Sequence, residues 1–200
     1  ATFGRKRITL DNVRFVGDVG WRQNNQTFDS ATISNKSIPN LNLFYGYILN
    51  VNRIFGDESP VGDFDSNIHL FNAKYNIKSV GKIAAYAYLL DINDAPAVST
   101  TTFGARFGGK QSLTKELKLL YDLEYAYQSD YEDNPADYDV NYYIAEAGLS
   151  AHGLVVKAGF ESLGSDQGTS SFSTPLATLH KWNGWADKFL ATPPTGLEDA

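Results

Sequence analysis

Residues 116–129 read Glu116-Leu117-Lys118-Leu119-Leu120-Tyr121-Asp122-Leu123-Glu124-Tyr125-Ala126-Tyr127-Gln128-Ser129. Positions 117, 119, 121, 123, 125 and 127 are Leu, Leu, Tyr, Leu, Tyr and Tyr, while 116, 118, 122, 124 and 128 are Glu, Lys, Asp, Glu and Gln. A period of two over this length puts an apolar row on one side of a strand and a charged row on the other. A helix would mix the two sets on every side. The apolar row has Leu in its middle and Tyr toward its later end, as where an aromatic girdle meets a membrane interface.

Working outward, the same alternation recurs. Leu41, Leu43, Tyr45, Tyr47, Leu49 and Val51 alternate with Asn42, Gly46, Asn50 and Asn52, though Phe44 and Ile48 break the polarity. Phe71, Ala73, Tyr75 and Ile77 stand opposite Asn72, Lys74 and Asn76. Phe103, Ala105 and Phe107 oppose Thr102, Gly104, Arg106 and Gly108, and Leu154, Val156, Ala158 and Phe160 oppose Lys157, Gly159 and Glu161. Residues 82–92 are apolar on both faces, and 138–150 fit either register. Weaker strands are expected at 26–35 and 5–10, giving eight or nine in all and no amphipathic helix of useful length.

Connection lengths alternate too. The turns at 78–81, 111–115 and 151–153 are short, whereas 56–63, 93–98, 130–137 and the stretch from Gly164 onward are long and polar. A soluble sandwich has no reason to alternate in this way. An outer-membrane barrel has short periplasmic turns and long outward loops. The segments are also longer than the usual strand of about 5–6 residues.

Composition narrows the classes. The 200 residues carry a net charge of −6, 12 Tyr, 12 Phe, 3 Trp and no Cys. So many aromatics exclude a disordered chain, and the missing Cys excludes disulfides and thiolate chemistry. The negative charge argues against a nucleic-acid partner. The longest apolar run, Ile83–Leu90, is too short for a transmembrane helix. Neither a leader peptide nor an initiating Met is visible, so the text reads as a processed protein or a fragment. The fold class expected is all-β, an antiparallel up-and-down transmembrane β-barrel, with 1–200 as a single barrel domain or barrel fragment. No closing signal is present, because the text stops on the polar Leu197-Glu198-Asp199-Ala200. Eight or nine strands with charged inward faces would make a clogged barrel, so about half of a larger one is expected.

Two blocks carry a family resemblance. Gly4-Arg5-Lys6, Asp11-Asn12-Val13-Arg14-Phe15-Val16-Gly17, Gly20-Trp21-Arg22-Gln23 and Thr27-Phe28-Asp29 form the first. Thr174-Pro175-Leu176-Ala177-Thr178-Leu179-His180-Lys181-Trp182 with Gly184-Trp185-Ala186-Asp187-Lys188-Phe189 form the second. Together they resemble the alginate-export family of outer-membrane proteins and its porin-like relatives. The resemblance implies a large monomeric barrel of about 16–18 strands around a watery lumen in the Gram-negative outer membrane. It also implies passive passage of small solutes, or of an anionic polysaccharide in the exporter. The inward charges here are mixed in sign rather than strongly basic, a departure from the exporter.

The function expected is a passive diffusion channel for small polar or anionic solutes, in contact with outer-membrane lipid and lipopolysaccharide. Lys74, Arg106, Lys118, Asp122, Glu124, Lys157 and Glu161 are the candidate pore-lining residues, since rings of charge sort ions and solutes by sign. A polar, wettable inner face is the plainer account of the same residues. Arg14 and Arg22 are candidates for solute contact, because the guanidinium fork suits carboxylates; ordinary pairing with Asp11, Asp18 or Asp29 is the alternative. His180, Lys181, Trp182 and Trp185 fall in a long loop at 164–195 that could fold inward and narrow the pore, or pack outside. The acidic loop at 130–139 fits no EF-hand spacing. No metal or cofactor site is expected. His69, His152 and His180 lie in different segments and no nucleophile elbow is present, which argues against an enzyme. An outer-membrane enzyme acting on lipid or glycan, and a soluble sugar-binding β-sandwich, are the alternatives from other classes. The sandwich requires a second protein layer over the apolar row.

Overall fold

The structure, a computed structural model, describes residues 1–56, 58–182 and 190–200. Its strands are β1 (Thr2–Lys6), β2 (Thr27–Asn35), β3 (Leu41–Asn52), β4 (Asp63–Ile77), β5 (Gly81–Ile92), β6 (Thr100–Ser112), β7 (Lys118–Asp130), β8 (Asp139–Ala151), β9 (Leu154–Leu163), β10 (Ser165–Asp166), β11 (Ser170–Ser171) and β12 (Leu197–Asp199). Ten of them form one sheet in the order β1 to β9 followed by β12, every pairing antiparallel. The short β10 and β11 pair only with each other. Two three-residue 3-10 turns are the only helical pieces among the described residues. The architecture is the up-and-down all-β sheet that the alternation predicts, and β4 reaches 15 residues while β6, β7 and β8 each have 13.

Connection length alternates strictly along the main sheet. Residues 36–40, 78–80, 113–117 and 152–153 close one end, the turn end. Residues 7–26, 53–62, 93–99, 131–138 and 164–196 close the other, the loop end. His152 takes φ 51° in the tightest turn, with Gly153 at φ 81° beside it.

Odd and even positions meet different surroundings. On β7, Leu123 is 50% exposed and Tyr125 is 52% exposed, while Glu124 between them and Ala126 after them are buried. The register carries that outer row from strand to strand: Phe107 lies beside Leu123, and Leu123 beside Ala145. No second sheet, which a sandwich would require, covers this face among the described residues. Toward the loops the row carries Tyr125, Tyr127 and Tyr143; toward the turns it passes Tyr121 and runs on to Leu119 and Leu149.

Three expectations need correction. The strand expected at 5–10 ends at Lys6, and the chain then leaves the sheet to bury Ile8, Leu10, Phe15 and Val16 on its inner side. The sheet has ten strands rather than eight or nine, partly because the polar end pairs: Leu197, Glu198 and Asp199 lie against Leu163, Ser162 and Glu161. Val51, read with the outer row of β3, is fully buried inside because the pairing slips between Ile48 and Asn50, while Phe44 and Ile48 lie inward as the alternation places them, Ile48 fully buried with Phe28, Ile68 and Leu70. The two open registers resolve the same way. On β5, Ala84, Tyr86, Tyr88, Leu90 and Ile92 face inward; on β8, Val140 and Tyr142 do. These inner positions are apolar because protein covers them.

One glycine is required by a close approach. Gly104 on β6 lies directly across from Tyr86, whose ring crosses it to reach β7, and a Cβ at 104 would run into that ring. Gly104→Val is therefore expected to lift Tyr86 off Glu124 and to destabilise the fold by about 1–3 kcal/mol through overpacking. Urea unfolding in detergent micelles checks this, and an unchanged midpoint would show that the ring can move aside.

Candidate functional site

The inner face is built by β-strand alternation: each even position from β4 to β8 points toward one interior. All seven charged residues read as pore-lining project from this face. Lys74 comes from β4, Arg106 from β6, Lys118, Asp122 and Glu124 from β7, and Lys157 and Glu161 from β9. Arg106 and Asp122, on neighbouring strands, are joined through Nε and Oδ1 at 2.8 Å and by a second, parallel bond from Nη2. Lys157 Nζ meets Glu146 Oε1 at 2.6 Å. Lys118 stands near the turn end with no ion pair among the described residues.

Glu124 and Glu161 do something different. Both are buried, and both hold the chain that crosses the inner face. Glu161 Oε1 accepts from Arg14 Nε at 2.7 Å and from the Tyr142 hydroxyl at 2.9 Å. Glu124 accepts from the Tyr86 hydroxyl at 2.8 Å and from Asn12 Nδ2 at 3.4 Å. Lys74 Nζ reaches Asp11 Oδ1 at 3.1 Å, and Asn72 Nδ2 donates to the other oxygen of Asp11 at 2.6 Å. Strands β4, β7 and β9 thus each present groups to the 11–14 tip.

That tip rests on an aromatic floor. The Phe15 ring centroid lies 5.4 Å from Tyr86, 5.2 Å from Tyr142 and 5.7 Å from Phe172. Phe172 belongs to a second inward segment, and the two segments bond to one another. Gly17 N donates to Leu176 O at 2.9 Å, Thr178 N to Val13 O at 3.1 Å, and Val19 N to Thr178 Oγ1 at 3.1 Å. Gln26 Nε2 spans both, donating to Gly17 O at 2.9 Å and to Leu176 O at 3.0 Å. Gln128 of β7 clamps the second segment to the wall by accepting from Ser173 N at 2.8 Å and donating to Ser173 O at 2.9 Å. The first segment holds Val13 at φ 63° and Val19 at φ 52°. Such values strain a β-branched residue, and the surrounding bonds maintain them.

On the turn side of these segments lies a cleft of about 550 Å³. Lys74, Lys82, Arg106, Lys110 and Lys157 line it along with Asp11, Asp122 and Glu146, five basic groups against three acidic. The remaining candidates sit at the loop end or beside the inward segments. The Trp21 ring stacks on His180 at 3.9 Å, and the Arg22 guanidinium lies 4.4 Å from Trp21. Lys181 Nζ is 3.4 Å from Asn12 O and 4.6 Å from the Trp182 ring, and Arg14 lies over the same ring at 5.7 Å. Trp185 lies outside the described residues. Arg5 and Arg7 pair with Asp29 and Asp18 as ordinary surface ions, whereas Arg14 pairs with neither Asp11 nor Asp18 but with Glu161.

Asp11, Asn12, Phe15, Tyr86, Tyr142 and Gln128 escape a reading of the sequence. One signal for Tyr86 was present: a strand apolar on both faces needs cover on both. Among the described residues no three His, Asp or Glu side chains are grouped to hold a metal ion.

No protein-family model and no curated protein matches the sequence. Solved structures do match the fold. OpdL of Pseudomonas aeruginosa is 20% identical over 88% of this chain and 49% of its own, with a TM-score of 0.67. OpdK of the same organism, crystallised with vanillate, is 16% identical over 82% and 44%, with a TM-score of 0.64. OccAB3 of Acinetobacter baumannii is 18% identical over 69% and 36%, with a TM-score of 0.59. The fold is that of bacterial outer-membrane β-barrels, and the chain spans about half the length, or less, of the barrels it matches.

Proposed function

We propose that this chain is part of an outer-membrane porin, a passive channel for small polar or anionic solutes. One observation carries the reading. A single sheet leaves its apolar face bare and its charged face crossed by two segments that bond to each other. Hydrocarbon offers backbone groups no partner, so a bare apolar face in lipid fits only a sheet that closes into a barrel. In that setting the outer row meets acyl chains, and lipopolysaccharide where the leaflet is external. The chain works as a monomer in the bacterial outer membrane.

Passage is sorted by size and by sign. The inward segments at 7–26 and 164–182 form the constriction, with Lys181 and Trp182 along its edge, while Arg14, a candidate for solute contact by its chemistry, is fully buried beneath them on Glu161. Lys74, Arg106, Asp122 and Lys157 line the opening on the turn side, and their basic excess favours anions. Glu124 and Glu161 tie the constriction to the wall. Export of an anionic polysaccharide, the finer implication of the resemblance, asks for a more uniformly basic lumen than the paired acids here provide. A catalytic reading gains nothing from the histidines: His69 lies on the outer face, His152 in a turn and His180 at the loop end.

Single-channel recording of the full protein in a planar bilayer tests the reading. The wild type is expected to conduct with a preference for anions, and Arg106→Glu with Lys157→Glu to shift that preference several-fold toward cations. A folded protein that passes no current would end the channel reading. Unmoved selectivity would make these two residues scaffold only.

A further inference from the structure

On the bare outer face, a groove of about 510 Å³ crosses β2 to β5. Leu43, Tyr45 and Phe71 stand along it, and Ala73, Ala85 and Ala87 keep its floor low. The register sets Ala73 beside Ala85 and Phe71 beside Ala87, so no second bulky side chain closes the space. Ala73 and Ala85 each lie four residues from the end of their strand, at Ile77 and Gly81. That is roughly 13 Å along the strand, within the turn-side half of a hydrocarbon layer about 30 Å thick. The turns beneath the groove are basic. Lys36 follows β2 and Lys78 follows β4, two strand spacings or about 10 Å apart. Both are exposed, and neither has an ion pair among the described residues. Asn76 N donates to Asn40 O at 2.9 Å and ties the first turn to the end of β4. Asn35, at the turn-side rim of the groove, accepts through Oδ1 from Ser37 N at 2.8 Å and Ser37 Oγ at 2.7 Å, which leaves its amide nitrogen as a donor. Charge differs between the two ends. The turns carry Lys36, Lys78 and Lys115 against Glu116, whereas the connections at 93–99 and 131–138 carry Asp94, Glu132, Asp133 and Asp137 and no cation.

We propose that the groove and these two turns bind one anionic glycerophospholipid of the turn-side leaflet, with an acyl chain over Ala73, Ala85 and Ala87 and the phosphate between Lys36 and Lys78. Lysine suits this place: a compact charge on a flexible apolar stem meets a phosphate while its methylenes stay among the chains. Asn35 Nδ2 offers a donor to an ester oxygen between the two. The acidic loop end repels the same headgroup. The site rests on the reading that the bare face meets lipid, and it does not depend on conduction.

Phosphatidylglycerol is the probe, and phosphatidylcholine with the same chains is its counterpart without net charge. Both are supplied equally in detergent micelles, and the lipid retained on the full protein is counted by native mass spectrometry. Wild type is expected to retain phosphatidylglycerol about tenfold more than phosphatidylcholine, since each lysine at an anionic surface is worth about fivefold. Lys36→Gln with Lys78→Gln, both at exposed positions, is expected to bring phosphatidylglycerol down to the phosphatidylcholine level. Ala85→Phe fills the floor from an exposed position and is expected to lower both lipids several-fold. Lys115→Gln, at a turn away from the groove, is expected to change neither. Phosphatidylglycerol held by the double lysine variant as by wild type, or unmoved by Ala85→Phe, overturns the site. A protein dimer that Ala85→Phe abolishes also overturns it, by seating a second copy in the groove. A protein that conducts but prefers neither lipid overturns the site and leaves the channel standing. One that does not conduct, yet retains phosphatidylglycerol through Lys36, Lys78 and the groove, overturns the channel and leaves the site.

Discussion

Arg14→Met is expected to destabilise the folded protein by about 3–5 kcal/mol, the usual result of stripping one partner from a buried ion pair. The Arg14 side chain is 0% exposed and that of Glu161 is 11% exposed. Their contact at 2.7 Å is supported by the Tyr142 hydroxyl on the same oxygen and by the Tyr142 and Trp182 rings beside the cation. Without Arg14 the Glu161 carboxylate keeps one neutral donor in a place that water reaches poorly. Burying a polar group so incompletely paired is what costs, more than the lost attraction itself. A second variant separates these terms. Arg14→Met with Glu161→Leu removes both charges and is expected to recover much of the loss, because an apolar pair of similar bulk is often neutral in such sites. Urea unfolding in lipid vesicles, followed by tryptophan fluorescence, reads both. Conductance gives a second readout: an inward segment released from the wall should widen the channel. A single variant as stable as wild type would show that Arg14 does not anchor the segment.

The same pair shows where sequence reading stops. Arg14 and Glu161 are 147 residues apart, and Arg14 lies in a segment with no period of two or of 3.6 to place it on a face. Its nearer acids, Asp11 and Asp18, were the natural partners on paper; the first reaches Lys74 and the second Arg7 instead. Strand β7 is legible for the opposite reason. Its inner neighbours are polar and its outer surroundings are not, so each side chain declares its own face. Strand β5 fails that test because Tyr86 and Tyr88 meet the Phe15 ring, and an inner face covered by protein has no reason to be polar. All seven charged wall residues could thus be placed on the inner face from alternation alone, while Asp11 and Asn12, which hold two of them, could not.

Alternation also predicts a difference between two positions on one strand. Leu123 and Ser129 both face outward on β7, Leu123 near the middle of the outer row and Ser129 at its loop-side end. If lipid surrounds this face, Leu123→Arg places a charge near mid-bilayer and is expected to cost about 2–4 kcal/mol, whereas Ser129→Arg near the interface costs about 0–1 kcal/mol. In water neither change would matter: an exposed substitution that breaks no cap, pair or packing stays within about 0.5 kcal/mol of wild type. Packing against another protein layer would also penalise Leu123→Arg, but the side chain is 50% exposed and no such layer is present among the described residues. Unfolding free energies measured in vesicles for the two variants therefore decide what the bare face meets. A large cost at 123 with little at 129 requires a hydrocarbon slab with a defined depth. Small and equal costs at both would put this face in water, and the channel would lose the physical ground it stands on.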